Sequence, residues 1–217
     1  MVTRGRPRSF DRDVALRAAM KTFWKSGYEG ASMAELTKAM GINSPSLYAA
    51  FGSKEGLFKE AVQLYLATED CKGRAILDGE PTARAAIHAM LRNSVANLVR
   101  PGAPHGCLLI LADSNAAPEN SGVRQHLCQR RRDIQSGLEA RLKRGIAEGD
   151  LPAGADVKAM AAFYMTVLQG LSLRARDNAA RDALLQVVDS AMAAWDGLLN
   201  TRPPKPLHGK AVAARDR

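Results

Sequence analysis

An amide at Asn43, hydroxyls at Ser44, Ser46 and Tyr48, a fixed backbone at Pro45 and a methyl at Ala49 fall within one short run, and the ammonium of Lys54 follows closely. Residues 43 to 49 hold no histidine or carboxylate, so the run is poorly suited to proton transfer. Hydroxyls, an amide and an ammonium are good partners for phosphate oxygens and for the edges of bases. Ser32 supplies a further hydroxyl upstream. The chemistry implied is contact with a nucleic acid, not turnover. No Arg, Lys, Asn or Gln occurs from Ser44 to Ala50, which removes the usual bidentate contacts to guanine and adenine. Any reading of base edges from this run would rely on serine hydroxyls, methyl contacts, Asn43, Lys38 and the shape of the nucleic acid.

These groups need a frame that holds them outward, and the flanking residues predict one. Ser32 and Glu35 form the reciprocal capping pair that starts a helix at Met33. Met33, Leu36, Ala39 and Met40 recur at spacings of three and four and line one face. Gly41 ends that helix in the left-handed conformation. Asn43 or Ser44 caps the next, with Pro45 in its first turn, and Leu47 and Phe51 face inward while Ser44, Ser46, Tyr48 and Ala49 face out. Gly52 turns the chain, and Ser53 caps a third helix whose free amides and adjacent Lys54 suit a phosphate. Upstream, Leu16, Ala19, Met20 and Phe23 give residues 11 to 26 an apolar stripe that closes at Gly27. Two short helices around a glycine turn, packed on flanking helices, are a helix-turn-helix.

The run from Ala15 to Val62 resembles the N-terminal DNA-binding domain of the tetracycline-repressor (TetR) family of bacterial transcription regulators. The resemblance rests on the paired alanines before Phe23, Gly27-Tyr28, Ser32, Gly41, Leu47-Tyr48, Phe51 and Ser53-Lys54-Glu55 with Leu57, all in register. It implies an all-α fold: a three-helix head followed by a helical ligand-binding and dimerisation domain, about nine helices in all. It places Ser44, Pro45, Ser46 and Ala49 against base edges and Tyr48, Lys54 and Ser32 on phosphates. The family's dimers pack through the last two long helices. Here these run over about 157 to 173 and 180 to 199, which implies a homodimer interface of Tyr164, Leu168, Leu171, Leu184, Val188, Met192 and Trp195. The alternative is that both helices fill the protomer's own core.

The chain then divides into a basic flexible arm (1–10), the DNA-binding domain (11–60), an effector-binding and dimerisation domain (61–200) and a disordered basic tail (201–217). Of the net charge of +9, residues 1–60 carry +4 and residues 201–217 another +4. Arg4, Arg6, Arg8 and Arg12 make the first twelve residues a candidate for phosphate or minor-groove contact, the alternative being a solubilising terminus. Between the head and the last helices, the periodicity predicts helices over about 54–78, 82–99 and 120–149, with a short one after Pro104. An interior lining of Met90, Cys107, Phe163 and Met165 is the candidate pocket for an unknown small-molecule effector.

Other chemistries find little support. The signatures of metalloproteases, nucleophile-elbow hydrolases, phosphate-cradling loops and dinucleotide folds are missing, so no enzyme and no cofactor is expected. Cys71, Cys107 and Cys128 are odd in number and widely spaced, against a disulfide framework. His126 and Cys128 point to different faces of a helix, so no metal site is expected. Cys107, at a predicted helix start, is either a reactive thiol or a small core residue. The longest apolar run, Ala159 to Leu173, is too short to span a membrane, and the charged N-terminus lacks a secretory signal. These features predict a cytoplasmic DNA-binding regulator, most simply a repressor of a palindromic operator released by an inducer. A DNA-organising protein of low specificity is the alternative.

Overall fold

The computed structural model describes residues 10–68, 72–112 and 120–200, and every regular element among them is helical. The elements are α1 (Arg12–Gly30), α2 (Met33–Met40), α3 (Ser44–Phe51), α4 (Lys54–Thr68), α5 (Lys72–Gly79), α6 (Ala83–Leu98), α7 (Leu108–Leu111), α8 (Ser121–Ala147), α9 (Val157–Arg176), α10 (Arg181–Ala193) and α11 (Trp195–Asn200). Eleven segments are described where nine were expected. The helix predicted over 54–78 is described as α4 and α5, and residues 69–71 between them, Cys71 included, lie outside the described residues. The buried stripe Leu57, Phe58, Ala61, Val62 and Tyr65 runs out before α4 ends, and α5 buries no residue. The helix predicted over 180–199 is α10 and α11, divided at Ala194.

The head folds on local signals. Asp11 caps α1 by accepting from the N–H groups of Asp13 and Val14 at 2.9 and 3.1 Å. Gly27 then leaves helical geometry at φ 73° and ψ 178°. Only a residue without a Cβ takes that conformation cheaply, and the reversal turns Tyr28 onto Phe58 with ring centroids 5.2 Å apart. Phe23 meets Phe58 edge-on at 5.0 Å, so three aromatic rings from α1 and α4 anchor the head.

Two apolar clusters make the interior. One joins α1–α4 to Leu108, Leu109 and Ala112 and to Val123 and Leu127 of α8. The other joins α6, the C-terminal half of α8, α9, α10 and Trp195. The boundary expected at residue 60 therefore cuts through a continuous core. α1 and α4 bury more apolar surface than α2 and α3 can cover, and α7 with the start of α8 supplies the rest.

The same clusters correct the expected dimer residues. Tyr164, Leu171, Leu184, Val188, Met192 and Trp195 are all buried inside the protomer. The Tyr164 hydroxyl donates to Ala191 O at 3.3 Å; burial pushes its pKa up to about 12. Leu168 is half-buried and lines a partly open cavity. The strongest apolar positions of α9 and α10 are taken by the nearest available core, that of their own chain.

Candidate nucleic-acid interface and interior cavity

The caps expected for the head are in place. Ser32 Oγ accepts from Glu35 N–H at 3.2 Å, and a Glu35 carboxylate oxygen accepts from Ser32 N–H at 3.0 Å. Donation to that carboxylate from the Ser32 N–H, which contributes most, and from the Ser32 hydroxyl holds the Glu35 carboxyl below the usual range. Gly41 takes the left-handed conformation at φ 66°. Asn43 is the cap of α3, its side chain accepting from Ser46 N–H at 2.9 Å, and Ser53 Oγ accepts from Gly56 N–H at 2.9 Å to start α4.

α3 buries Leu47 and Phe51 and turns Ser44, Pro45, Tyr48 and Ala49 to solvent, with Ser46 half-buried. Tyr48, at 50% exposure, is one of three large hydrophobic side chains exposed among the described residues. The remaining phosphate candidates are less free. The Ser32 hydroxyl also donates to Glu35 within the cap, at 3.0 Å, so a phosphate must share it. The Lys54 ammonium lies 4.5 Å from the centroid of the Tyr28 ring. Its burial lowers its pKa, opposed by the Glu29 carboxylate, and an arriving phosphate would favour its charged form.

Arg12, expected in the arm, is instead the first residue of α1 and part of the frame. Its guanidinium meets both Glu60 oxygens at 2.7 Å, donates to Ala50 O at 3.3 Å and lies 4.4 Å from the Phe51 ring centroid. One side chain thus ties α1 and α4 to the end of α3. A cation at a helix C-terminus also complements the dipole there. Arg4, Arg6 and Arg8 and the tail 201–217 lie outside the described residues.

Behind the head, α4, α5, α6, α8 and α9 line a partly open cavity of about 470 Å³. Met90, Cys107 and Met165 line it; Phe163 does not. Phe163 lies one position round α9, edge-on to Tyr164 at 5.1 Å. The size suits a drug-sized or smaller molecule. Apolar walls come from Leu77, Leu138 and Leu168, and polar groups from Ser94, Asn97 and four arginines.

Cavity and head meet at one peptide group. Gly106 O accepts from the Trp24 indole N–H at 2.8 Å, and the adjoining Cys107 N–H donates to Ser172 Oγ at 2.8 Å. The peptide joining Gly106 to Cys107 is therefore gripped by α1 on one side and α9 on the other. Gly106 sits at φ 84°, and a Cβ there would strike Leu111 and the Ser172 carbonyl, so glycine is required. Trp24 also packs edge-on against Tyr65 at 4.9 Å. Tyr65 and Cys107 both line the cavity, so two of its walls converge on Trp24. Arg176 adds a further link from α9, donating to Trp24 O at 3.3 Å and Lys25 O at 2.7 Å.

Sequence reasoning gave Arg12 a different role and missed Trp24, Ser172 and Arg141 as functional positions. A signal existed for two of them. A tryptophan on an apolar face needs an acceptor for its N–H, and Arg141 continues the stripe set by Ile134 and Leu138.

An outward, rigidly capped helix-turn-helix on a cavity-bearing helical domain defines a DNA-binding transcription regulator. Residues 15–61 match the family model of bacterial regulatory proteins, tetR family, and residues 83–192 match the tetracyclin repressor-like C-terminal domain. The chain belongs to the TetR family, as its sequence resemblance implied. It is 34% identical to the HTH-type transcriptional repressor ComR of Escherichia coli (strain K12), over 91% of this chain and 94% of that one. It is 33% identical to the HTH-type transcriptional repressor BdcR of the same organism, over 80% and 83% of the two chains. Among solved structures it is similar to a cysteine mutant of the TetR family transcriptional regulator CifR complexed with 26bp double-strand operator DNA. That likeness has a TM-score of 0.86 and 50% identity, covering 88% of this chain and all of the other.

Proposed function

We propose that the protein is a ligand-responsive repressor that binds a palindromic operator as a homodimer and is released when a small molecule fills the cavity. Ser44, Pro45, Ser46 and Ala49 meet base edges in the major groove. Tyr48, Lys54, Asn43 and Ser32 hold the flanking backbone. The observation that carries the reading is the shared peptide at Gly106 and Cys107. It puts the cavity wall one hydrogen bond from the base of the head, so an occupant that shifts this wall shifts α1.

The dimer face in this reading is the uncovered side of α9 and α10. Ala159, Ala162, Thr166, Gly170 and Leu173 form an uncharged outward stripe on α9, and on α10 Ser190 is exposed beside the half-buried Val187. Leu173 is 56% exposed and Gly170 opens onto empty space. Small residues of this kind let helix backbones approach closely, and two-fold pairing of such a face matches a two-fold operator. No helix among the described residues is long and apolar enough to cross a membrane, and the proposed site of action is the cytoplasm. No catalytic role is proposed.

A second reading has an observation of its own. The α3 surface offers no Arg, Lys, Asn or Gln after Asn43, which suits weak base discrimination by a DNA-organising protein. Selecting bound fragments of genomic DNA with the purified protein separates the two. The repressor enriches a palindrome with half-sites about 34 to 36 Å apart, or a multiple of that. Enrichment of no sequence, with a steep loss of binding in salt, rejects the repressor in favour of the organiser.

A further inference from the structure

The cavity contains an unmatched cation. Arg141 of α8 is only 3% exposed, yet it lines the cavity. Its Nη2 donates to Glu80 O at 3.2 Å, while its Nε and Nη1 have no hydrogen-bond partner among the described residues. The two aspartates on the same wall are already engaged. Asp78 lies 3.6 Å from Arg74 and 3.9 Å from Arg144, and Asp133 lies 3.3 Å from Arg130. Arginine is always protonated in proteins and presents five N–H donors. A buried guanidinium with idle donors and no counter-ion is costly, so an occupant that satisfies it binds with that penalty relieved.

We propose that the effector is a small carboxylic acid with an apolar body, its carboxylate held by Arg141. This rests on the reading of the cavity as the effector site. The guanidinium fork matches a carboxylate's two oxygens. The apolar walls, among them Met90, Leu138 and Met165, take the body. Ser94 and Asn97 on α6 stand on the same lining for any further polar group.

The test uses the full-length protein and a fixed set of probes: straight-chain acids from acetate to decanoate with phenylacetate and benzoate, each beside its amide. Binding is read by calorimetry and thermal shift, and operator release by fluorescence anisotropy. At least one acid is expected to bind the wild type ten times or more tighter than its amide. Arg141→Met, which fills the same space without charge, is expected to erase that preference, and Arg141→Lys to keep part of it. If Arg141→Met does not fold, the comparison of acid with amide in the wild type and in Arg141→Lys carries the test. Three results overturn the proposal: no acid binds, amides bind as tightly as acids, or the acid preference survives in Arg141→Met. An acid that binds through Arg141 but leaves operator affinity unchanged upholds the carboxylate site and instead rejects ligand-responsive repression.

Discussion

The peptide between Gly106 and Cys107 makes a quantitative prediction, because its two hydrogen bonds belong to different parts of the molecule. Trp24→Phe keeps an aromatic ring in a site that is 3% exposed but removes the donor to Gly106 O. Leaving a buried acceptor without its partner costs about 1–3 kcal/mol, and the lost ring volume adds roughly 1 kcal/mol. Ser172→Ala, at a fully buried position, strips the acceptor from Cys107 N–H and costs about 1–2 kcal/mol. Two bonds that fix the same rigid peptide plane are not independent. Once one is gone the plane can tilt and weaken the other, so the double variant should lose less than both single losses together, by about 0.5–1.5 kcal/mol. Urea unfolding followed by far-ultraviolet circular dichroism, at one fixed protein concentration because the proposed dimerisation would contribute to stability, measures the cycle. Hydrogen exchange gives a second reading: Trp24→Phe should speed exchange at the Cys107 amide even though Ser172 is untouched. Additivity within about 0.3 kcal/mol, with unchanged exchange at Cys107, would refute the idea that this peptide joins head and cavity.

Three further outcomes follow from the same geometry. Glu35 has its folded pKa held below its ordinary 4.5 by Ser32, so its contribution to stability is complete above that value and disappears as pH falls through the lowered one. Glu35→Gln should therefore narrow the gap to wild type in urea midpoint as pH drops from about 6 to about 3, and a gap independent of pH would contradict the assignment. Gly56→Ala places a Cβ against the carbonyl oxygen of Phe51; the forced shift of α3 against α4 should cost about 1–3 kcal/mol and weaken operator binding more than tenfold, measured by anisotropy. Gly170→Arg, on the uncovered face of α9, should give folded monomers by analytical ultracentrifugation, whereas Leu184→Ala, in the core, should lower stability by about 2–5 kcal/mol; an unchanged dimer in Gly170→Arg would remove that face from the interface.

What the sequence could reveal was set by the distance over which each interaction acts. Ser32 with Glu35, Asn43 with Ser46 and Ser53 with Gly56 are caps closed within three residues, and Gly27 and Gly41 stop helices through their own backbone angles. Such features are written in consecutive residues, and the head was legible from them. Arg12 bonds to Glu60, Trp24 to Gly106 and Cys107 to Ser172. Those partners are chosen by tertiary packing, which no local pattern encodes. The dimer residues failed for a related reason. Hydrophobicity marks what must be buried but not by whose surface, and Tyr164, Leu184 and Trp195 found cover within their own chain. The cavity was half visible: Met90, Cys107 and Met165 lie on facing helices, but Phe163 is turned away by its place on α9.

The rigidity of the head constrains how a signal from the cavity can act. Arg12 binds the end of α3 to α1 and α4, Asn43 closes its start, and Gly56 lets α4 press directly against it. Melting α3 would break all of these together, so an effector acts more cheaply by moving the head as a unit than by unfolding its reading helix. Movement needs a lever that reaches both sites, and Trp24 is placed as one. Tyr65 of α4 and the peptide before Cys107 both press on it from cavity walls, and Arg176 holds its carbonyl from α9. In the proposed dimer, displacement of Trp24 changes the separation of two α3 helices whose operator half-sites are a fixed helical turn apart. Coupling of this kind is reciprocal, since an operator that fixes the heads also fixes Trp24 and the wall behind it, and so weakens the effector by the same factor. Trp24→Phe should reduce that factor in both directions, and a change in only one would show that the lever lies elsewhere.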